Sequence, residues 1–262
     1  MKRQILFLLS IVMCLLLMFG CSAKSGSDDN SSGKADSIED MIYENGETIS
    51  ATPDETGARP AQIPGFTPDR EMLRLSLPYG INGTPLQVIA VGRYSGYYVE
   101  DGTDDSVTDV SAVVVQNIGQ KCIKNATVIL AGKDAKEYAF AITTLPSGKA
   151  ALILESHRSE WQKEEEIAHI SAVSEELDEL ELHSDKLSIS FKDGKFRVKN
   201  LTDADYRAVY IRYKNYTAGN VYMGGVTYSA SIDNVMAHGE YECESIHFFK
   251  GYSEVLMLQV IE

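Results

Sequence analysis

The sequence predicts an all-β protein: two β-sandwich domains that follow an N-terminal export segment and a polar linker. Two observations carry this. Beyond Leu73, short runs rich in Val, Ile, Leu, Tyr and Thr recur at about ten-residue intervals, separated by Gly, Asn, Asp or Pro. Strand and turn signatures of the first half also return in the second half.

The first half carries strand patterns at Leu86–Val91, Val110–Gln116, Ala126–Leu130, Tyr138–Thr143 and Ala150–Glu155. The second carries them at Leu187–Phe191 and Phe196–Lys199, on either side of Lys192-Asp-Gly-Lys195. Asp-Gly between two apolar runs is the strongest short hairpin signal, because both turn positions need positive φ. Further runs follow at Ala208–Tyr213, Val221–Ser231, Glu240–Phe248 and Glu254–Ile261. In the first of these Val209, Ile211 and Tyr213 share one face and Tyr210, Arg212 and Lys214 the other, the pattern of a strand with one wet face. Met223-Gly-Gly225 reads as a bulge or sharp bend within a strand.

A short internal echo supports a duplicated architecture. Val115-Gln-Asn117 leads to Ala126-Thr-Val-Ile-Leu130, and Val198-Lys-Asn200 leads to Ala208-Val-Tyr-Ile-Arg212; each then reaches a glycine-marked turn, at Gly148 and Gly239. Between the halves, 160–182 fits either an amphipathic helix (Trp161, Ile170, Val173, Leu177, Leu180) or an irregular linker entering a strand. The domain boundary is placed there, giving domains at 68–160 and 161–262.

The N-terminus has a different logic. Lys2 and Arg3 precede the apolar run Ile5–Phe19, too short for a comfortable membrane span and suited to a signal h-region. Met18-Phe19-Gly20-Cys21 resembles the lipobox of bacterial lipoproteins, with Met18 where Leu is commoner. The resemblance implies that 1–20 is a signal peptide and that Cys21 becomes a diacylglycerol-modified first residue. Two acyl chains would hold the protein on the extracytoplasmic side of the cell membrane. Residues 21–67, poor in apolar side chains and rich in Ser, Gly, Asp and Pro, read as a disordered linker. As a flexible coil it would span about 35–40 Å.

The strings 92–119 (GRYSGYYVEDGTDDSVTDVSAVVVQNIG), 145–156 (LPSGKAALILES) and 198–215 (VKNLTDADYRAVYIRYKN), with 221–228 (VYMGGVTY), resemble uncharacterised Gram-positive lipoproteins that carry paired immunoglobulin-like sandwiches. That resemblance implies fold and location and brings no activity or site residues with it.

Charge and chemistry narrow the function. The net charge of −14 becomes −16 once Lys2 and Arg3 leave with the signal, which disfavours nucleic acid as a partner. Of four cysteines, Cys14 lies in the signal and Cys21 takes the lipid, leaving Cys122 and Cys243 to pair or, by the better reading, to pack as small apolar side chains. No nucleophile elbow, phosphate-cradling loop or dinucleotide fingerprint occurs. His157, His169, His183, His238 and His247 lack metal-ligand spacing, so no metal or cofactor is expected.

The acidic stretch Glu100–Asp109 departs from the EF-hand pattern and reads first as a solvated loop. With the tyrosines before it, it forms the one candidate ligand surface: Tyr94, Tyr97, Tyr98, Asp101, Asp104 and Asp105. The expected function is a tethered, non-catalytic module that binds a surface protein or glycan. The alternatives are a cell-envelope hydrolase with dispersed carboxylates and, behind it, a transporter's solute-binding subunit.

Overall fold

The computed structural model describes residues 57–69, 74–103, 105–133, 136–161 and 166–262. The expected signal peptide, Cys21 and most of the expected linker lie outside these residues, as does Asp104. The protein is almost entirely β. Its strands are β1 Phe66–Pro68, β2 Tyr79–Gly80, β3 Leu86–Tyr97, β4 Ser106–Asn117, β5 Cys122–Gly132, β6 Glu137–Leu145, β7 Ala150–Leu154 and β8 Ile167–Leu177. They continue with β9 Leu187–Lys192, β10 Lys195–Asn200, β11 Tyr206–Tyr216, β12 Tyr222–Val235, β13 Glu240–Glu244 and β14 Ser253–Ile261.

Every strand pattern read from the sequence is a strand, two of them trimmed by one residue at an end and one cut well short: β13 stops at Glu244, and Ser245–Phe248 belongs to the loop that follows. The ambiguous stretch before residue 182 is a strand, β8. It pairs with β5 (Leu130↔Ile170, Val128↔Ala172), so the expected boundary at 161 falls ahead of a strand that completes a sheet of the first half. Trp161 is likewise buried in that half, with its indole Nε1 donating to the Gly92 carbonyl at 2.6 Å.

Among the described residues the strands form three sheets, ordered β1-β3-β4-β7-β12-β11-β14, β6-β5-β8 and β13-β10-β9, with β2 added beside β3. The pairing repeats between halves. β4 lies between β3 and β7 as β10 lies between β9 and β13, and β5 lies between β6 and β8 as β11 lies between β12 and β14. The echoed asparagines hold equivalent places. Asn117 Nδ2 donates to the Lys121 and Leu145 carbonyls, at 2.8 and 2.9 Å, and its Oδ1 accepts from the Gly119 N–H. Asn200 Nδ2 donates to the Ala204 and Met236 carbonyls, at 2.7 and 3.1 Å, and its Oδ1 accepts from the Thr202 N–H. Both are fully buried, so each amide replaces water for carbonyls that the turn leaves unpaired.

One sheet runs through both halves because β7 and β12 pair in parallel, Tyr222 against Ala151 and Met223 against Leu152. In the first half, Val113 and Val115 of β4 face a core shared with β5, β6 and β8, while Ala112 and Val114 face a second core on the opposite side. Burial on both faces explains the unbroken apolar run in β4. That second core is closed by Ile63 and Phe66. Residues 57–67, expected as the end of a disordered linker, therefore pack: β1 pairs with β3, and the Arg59 N–H donates to the Gly219 carbonyl at 2.8 Å. Their few apolar side chains cover a face that would otherwise be wet. The second half has its own core, where Leu187, Phe196 and Val198 meet Val209, Ile211, Ile232 and Leu258.

Candidate functional site

The structure divides the sequence-predicted ligand surface between the interior and the solvent. Tyr94 and Tyr98 are buried in the second core of the first half, and Tyr97 is half-buried. Burial pushes both buried phenols well above their ordinary pKa. The Tyr98 hydroxyl donates to the Glu155 carbonyl at 3.0 Å, and the Arg158 guanidinium sits 4.4 Å above its ring. Asp101 and Asp105 are exposed but engaged: Arg158 donates to them at 2.6 and 3.0 Å. Against some desolvation, bonds from Thr103 and Arg158 hold the Asp101 carboxyl below its ordinary pKa. Tyr94 and Tyr98 are thus unavailable to a ligand, while Asp101 and Asp105 form an ion cluster satisfied from within the chain. Among the described residues no three His, Cys, Asp or Glu side chains converge as a metal site.

A different surface is open. The β9–β10 hairpin turns at Asp193-Gly194, both at positive φ, as the two-residue turn requires. Facing it is the loop between β13 and β14. That loop is built rigidly. Phe248 inserts among Phe191, Phe196 and Tyr213 with ring centroids 4.5, 4.6 and 5.2 Å away. The Tyr213 and Ser245 hydroxyls are 2.6 Å apart, Asn215 Nδ2 donates to the His247 carbonyl at 3.0 Å, and the Phe249 N–H donates to Ser253 Oγ at 2.8 Å. Between hairpin and loop lies a groove of about 530 Å³, floored by Phe191, Phe248, Phe249 and Tyr252, with Lys195 and Lys250 among its polar lining. Ile246, also lining it, is 80% exposed. An apolar floor with charged groups of both signs at the rim suits an apolar or aromatic group flanked by hydrogen-bonding atoms.

The groove has a closed counterpart. In the first half, Arg158 of the loop after β7 reaches the long β3–β4 connection through Asp101, Thr103 and Asp105. The second-half hairpin is only two residues long and leaves the corresponding gap unfilled. Sequence reasoning missed this site because Glu240–Phe248 reads as one strand. The adjacent Phe248 and Phe249, which cannot both lie on one strand face, were the available signal of a loop.

A second cluster also escaped the sequence. Lys214, expected on a wet face, is fully buried. The register of β11 against β12 slips between Tyr213 and Asn215, leaving residues 224–227 as a bulge opposite Lys214. Lys214 Nζ donates to the carbonyls of Gly224, Gly225 and Val226, at 3.3, 2.7 and 2.7 Å. From the first half, the Glu100 carboxylate accepts from the N–H groups of Leu154, Gly225 and Val226 at 2.9–3.1 Å. Glycine is required at 225, since a Cβ there would lie 1.9 Å from the Ala141 carbonyl oxygen. Burial pushes the Lys214 ammonium down to about 7, opposed by Glu100. It pushes the Glu100 carboxyl up, opposed by the three N–H donors and by Lys214. The pair pins the junction where β7 meets β12. It does not line the groove.

Cys122 is buried and Cys243 half-buried, both as free thiols. Burial pushes each up to about 11, which keeps them protonated and poorly nucleophilic. The chain matches no protein-family model and no curated protein sequence.

Proposed function

We propose that this protein is a lipid-anchored, extracytoplasmic binding module that captures a surface protein or glycan, without catalysis, in the groove between the β9–β10 hairpin and the β13–β14 loop. The observation that carries the reading is the rigidly held aromatic floor left open to solvent beside an exposed Ile246. Exposed apolar surface rimmed by polar groups is unfavourably hydrated in the free protein, and burial against a partner relieves that. The repeated strand pairing and the matched Asn117 and Asn200 networks support two immunoglobulin-like sandwiches descended from one unit. Cys21 is the anchor, and the polar residues before 57 supply reach from the membrane.

Two experiments test the parts separately. Metabolic labelling with a palmitate analogue should mark the wild type and leave Cys21→Ser unmarked; equal labelling removes the anchor. Capture of cell-wall polymer, glycan or surface protein by the full chain should fall at least tenfold in Ile246→Asp and Phe249→Ala and persist in Asp105→Asn. Capture that is insensitive to the groove substitutions removes the groove from the binding reading.

A further inference from the structure

The two halves differ in how they protect their outer sheet edges. β14, the end of the long sheet, is met by the chain itself: the Leu258 N–H donates to the Glu181 carbonyl at 2.8 Å. Its counterpart β8 ends the β6-β5-β8 sheet. Near its start, Ile167 accepts a 3.4 Å bond from the Arg74 N–H. Beyond it, among the described residues, β8 is hydrogen-bonded on one side alone, to β5. Two other outer strands, β13 and β1, carry the usual protection against edge-to-edge pairing. β13 exposes Glu240, Glu242 and Glu244, and β1 is three residues long and ends in Pro68. From Ile167 to Ser174, β8 has no acid, lysine, arginine or proline, and Val173 is 74% exposed.

We propose that β8 is where two copies of this chain pair, antiparallel, about a twofold axis at Ala172, joining two three-stranded sheets into one of six strands. The residue pattern specifies a second copy rather than an arbitrary peptide. His169, Ser171, Val173 and Glu175 share the solvent-side face, and 169–175 is regular in register against β5. About Ala172, His169 falls opposite Glu175 of the other copy, and Ser171 opposite Val173, so the strand complements itself. A register shifted toward the C-terminal end would set Glu175 or Glu176 against its own copy, which like-charge repulsion disfavours. Glu175 already accepts from Lys124 at 2.8 Å, so the His169 imidazole would join an existing ion cluster. The other end of the same sheet is not available in this way: Thr143 of β6 hydrogen-bonds Thr227 of β12, at 3.1 Å between hydroxyls and 2.7 Å to the Thr143 carbonyl. Contact along one short strand lies at the small end of specific interfaces, so the dimer is dissociable and gains occupancy when copies are concentrated on one surface.

The test is a cysteine scan through residues 169–175 of the full-length chain, with intermolecular disulfide yield measured after mild oxidation, against the background from the native cysteines. The yield should peak at Ala172→Cys, the position that faces itself. A mixture of Ser171→Cys and Val173→Cys chains should cross-link at least tenfold more than either alone; both sites are on the solvent-side face, where folding is not at stake. Adding Val173→Lys to Ala172→Cys should reduce its yield at least tenfold. A flat profile, a peak away from 172, indifference to Val173→Lys, or cross-linking of 172 to a foreign chain instead of a second copy overturns the proposal. None of these outcomes bears on the groove.

Discussion

The losses from removing Glu100 and from removing Lys214 should not add. In Lys214→Met the bulge carbonyls of residues 224–226 lose an ammonium that donates to all three, and Glu100 loses a cation whose charge favours its carboxylate. Leaving a buried carbonyl without its charged donor costs about 1–3 kcal/mol. Because three carbonyls lose theirs at once, we place Lys214→Met at the upper end, at about 3 kcal/mol. Glu100→Gln should be at least as harmful. Leu154 N–H bonds Oε1, Val226 N–H bonds Oε2 and Gly225 N–H lies within reach of both, so either orientation of the amide aims its NH₂ at a backbone donor. The double variant should lose less than the two single losses added together, by at least about 1 kcal/mol. The assay is urea unfolding at pH 6, with a double-mutant cycle built from the four chains. A coupling near zero, or Lys214→Met within about 0.5 kcal/mol of wild type, refutes the reasoning. The pH dependence is a second readout. The Lys214 pKa is lower in the folded chain (about 7) than the ordinary 10.5, so the unfolded chain holds the extra proton between those values. Stability should therefore climb as pH rises from about 7 toward 10, and this climb should be absent in Lys214→Met.

Asn117→Ala and Asn200→Ala should each cost about 2–3 kcal/mol in urea unfolding, similar in the two because each amide ties the same carbonyls of its turn; a small effect in one alone would break the equivalence of the halves. Gly92→Ala should release the N-terminal segment from β3, since a Cβ there would lie 2.1 Å from the Thr67 carbonyl oxygen. Limited proteolysis should then cut between 57 and 68 while the rest of the chain resists, and protection equal to wild type would contradict the contact. Calcium at millimolar concentration should leave the melting temperature unchanged, because Asp101 and Asp105 already hold Arg158. Arg158→Ala should leave the urea midpoint close to that of the wild type, as expected for an exposed ion cluster, and a large fall would contradict this.

Some of this protein is legible along the chain because the causes are local. Alternation of Val, Ile and Tyr against polar residues marks a strand wherever it packs, Asp193-Gly194 specifies its own turn, and Met223-Gly-Gly225 announces a bulge without a partner in view. The repeated asparagine turns are legible too, since each amide bonds chiefly to carbonyls near its own turn and the next. The role of Tyr94 and Tyr98 is different in kind. A tyrosine on an edge and a tyrosine in a core look alike in sequence, and only the packing of Ile63 and Phe66 beside them decides which it is.

By itself the sequence determined the all-β class, nearly all of the strands, the hairpin and the doubling of the plan, because those follow from side-chain period and turn chemistry within a few residues. Tertiary structure alone decided that β8 completes the first half, that Lys214 is buried against the bulge that Glu100 also binds, and that the groove lies open beside Phe248 and Phe249. Those outcomes depend on residues brought together from dozens to more than a hundred positions apart, or on a register slip that sets residues 224–227 opposite Lys214. No local pattern records such a slip.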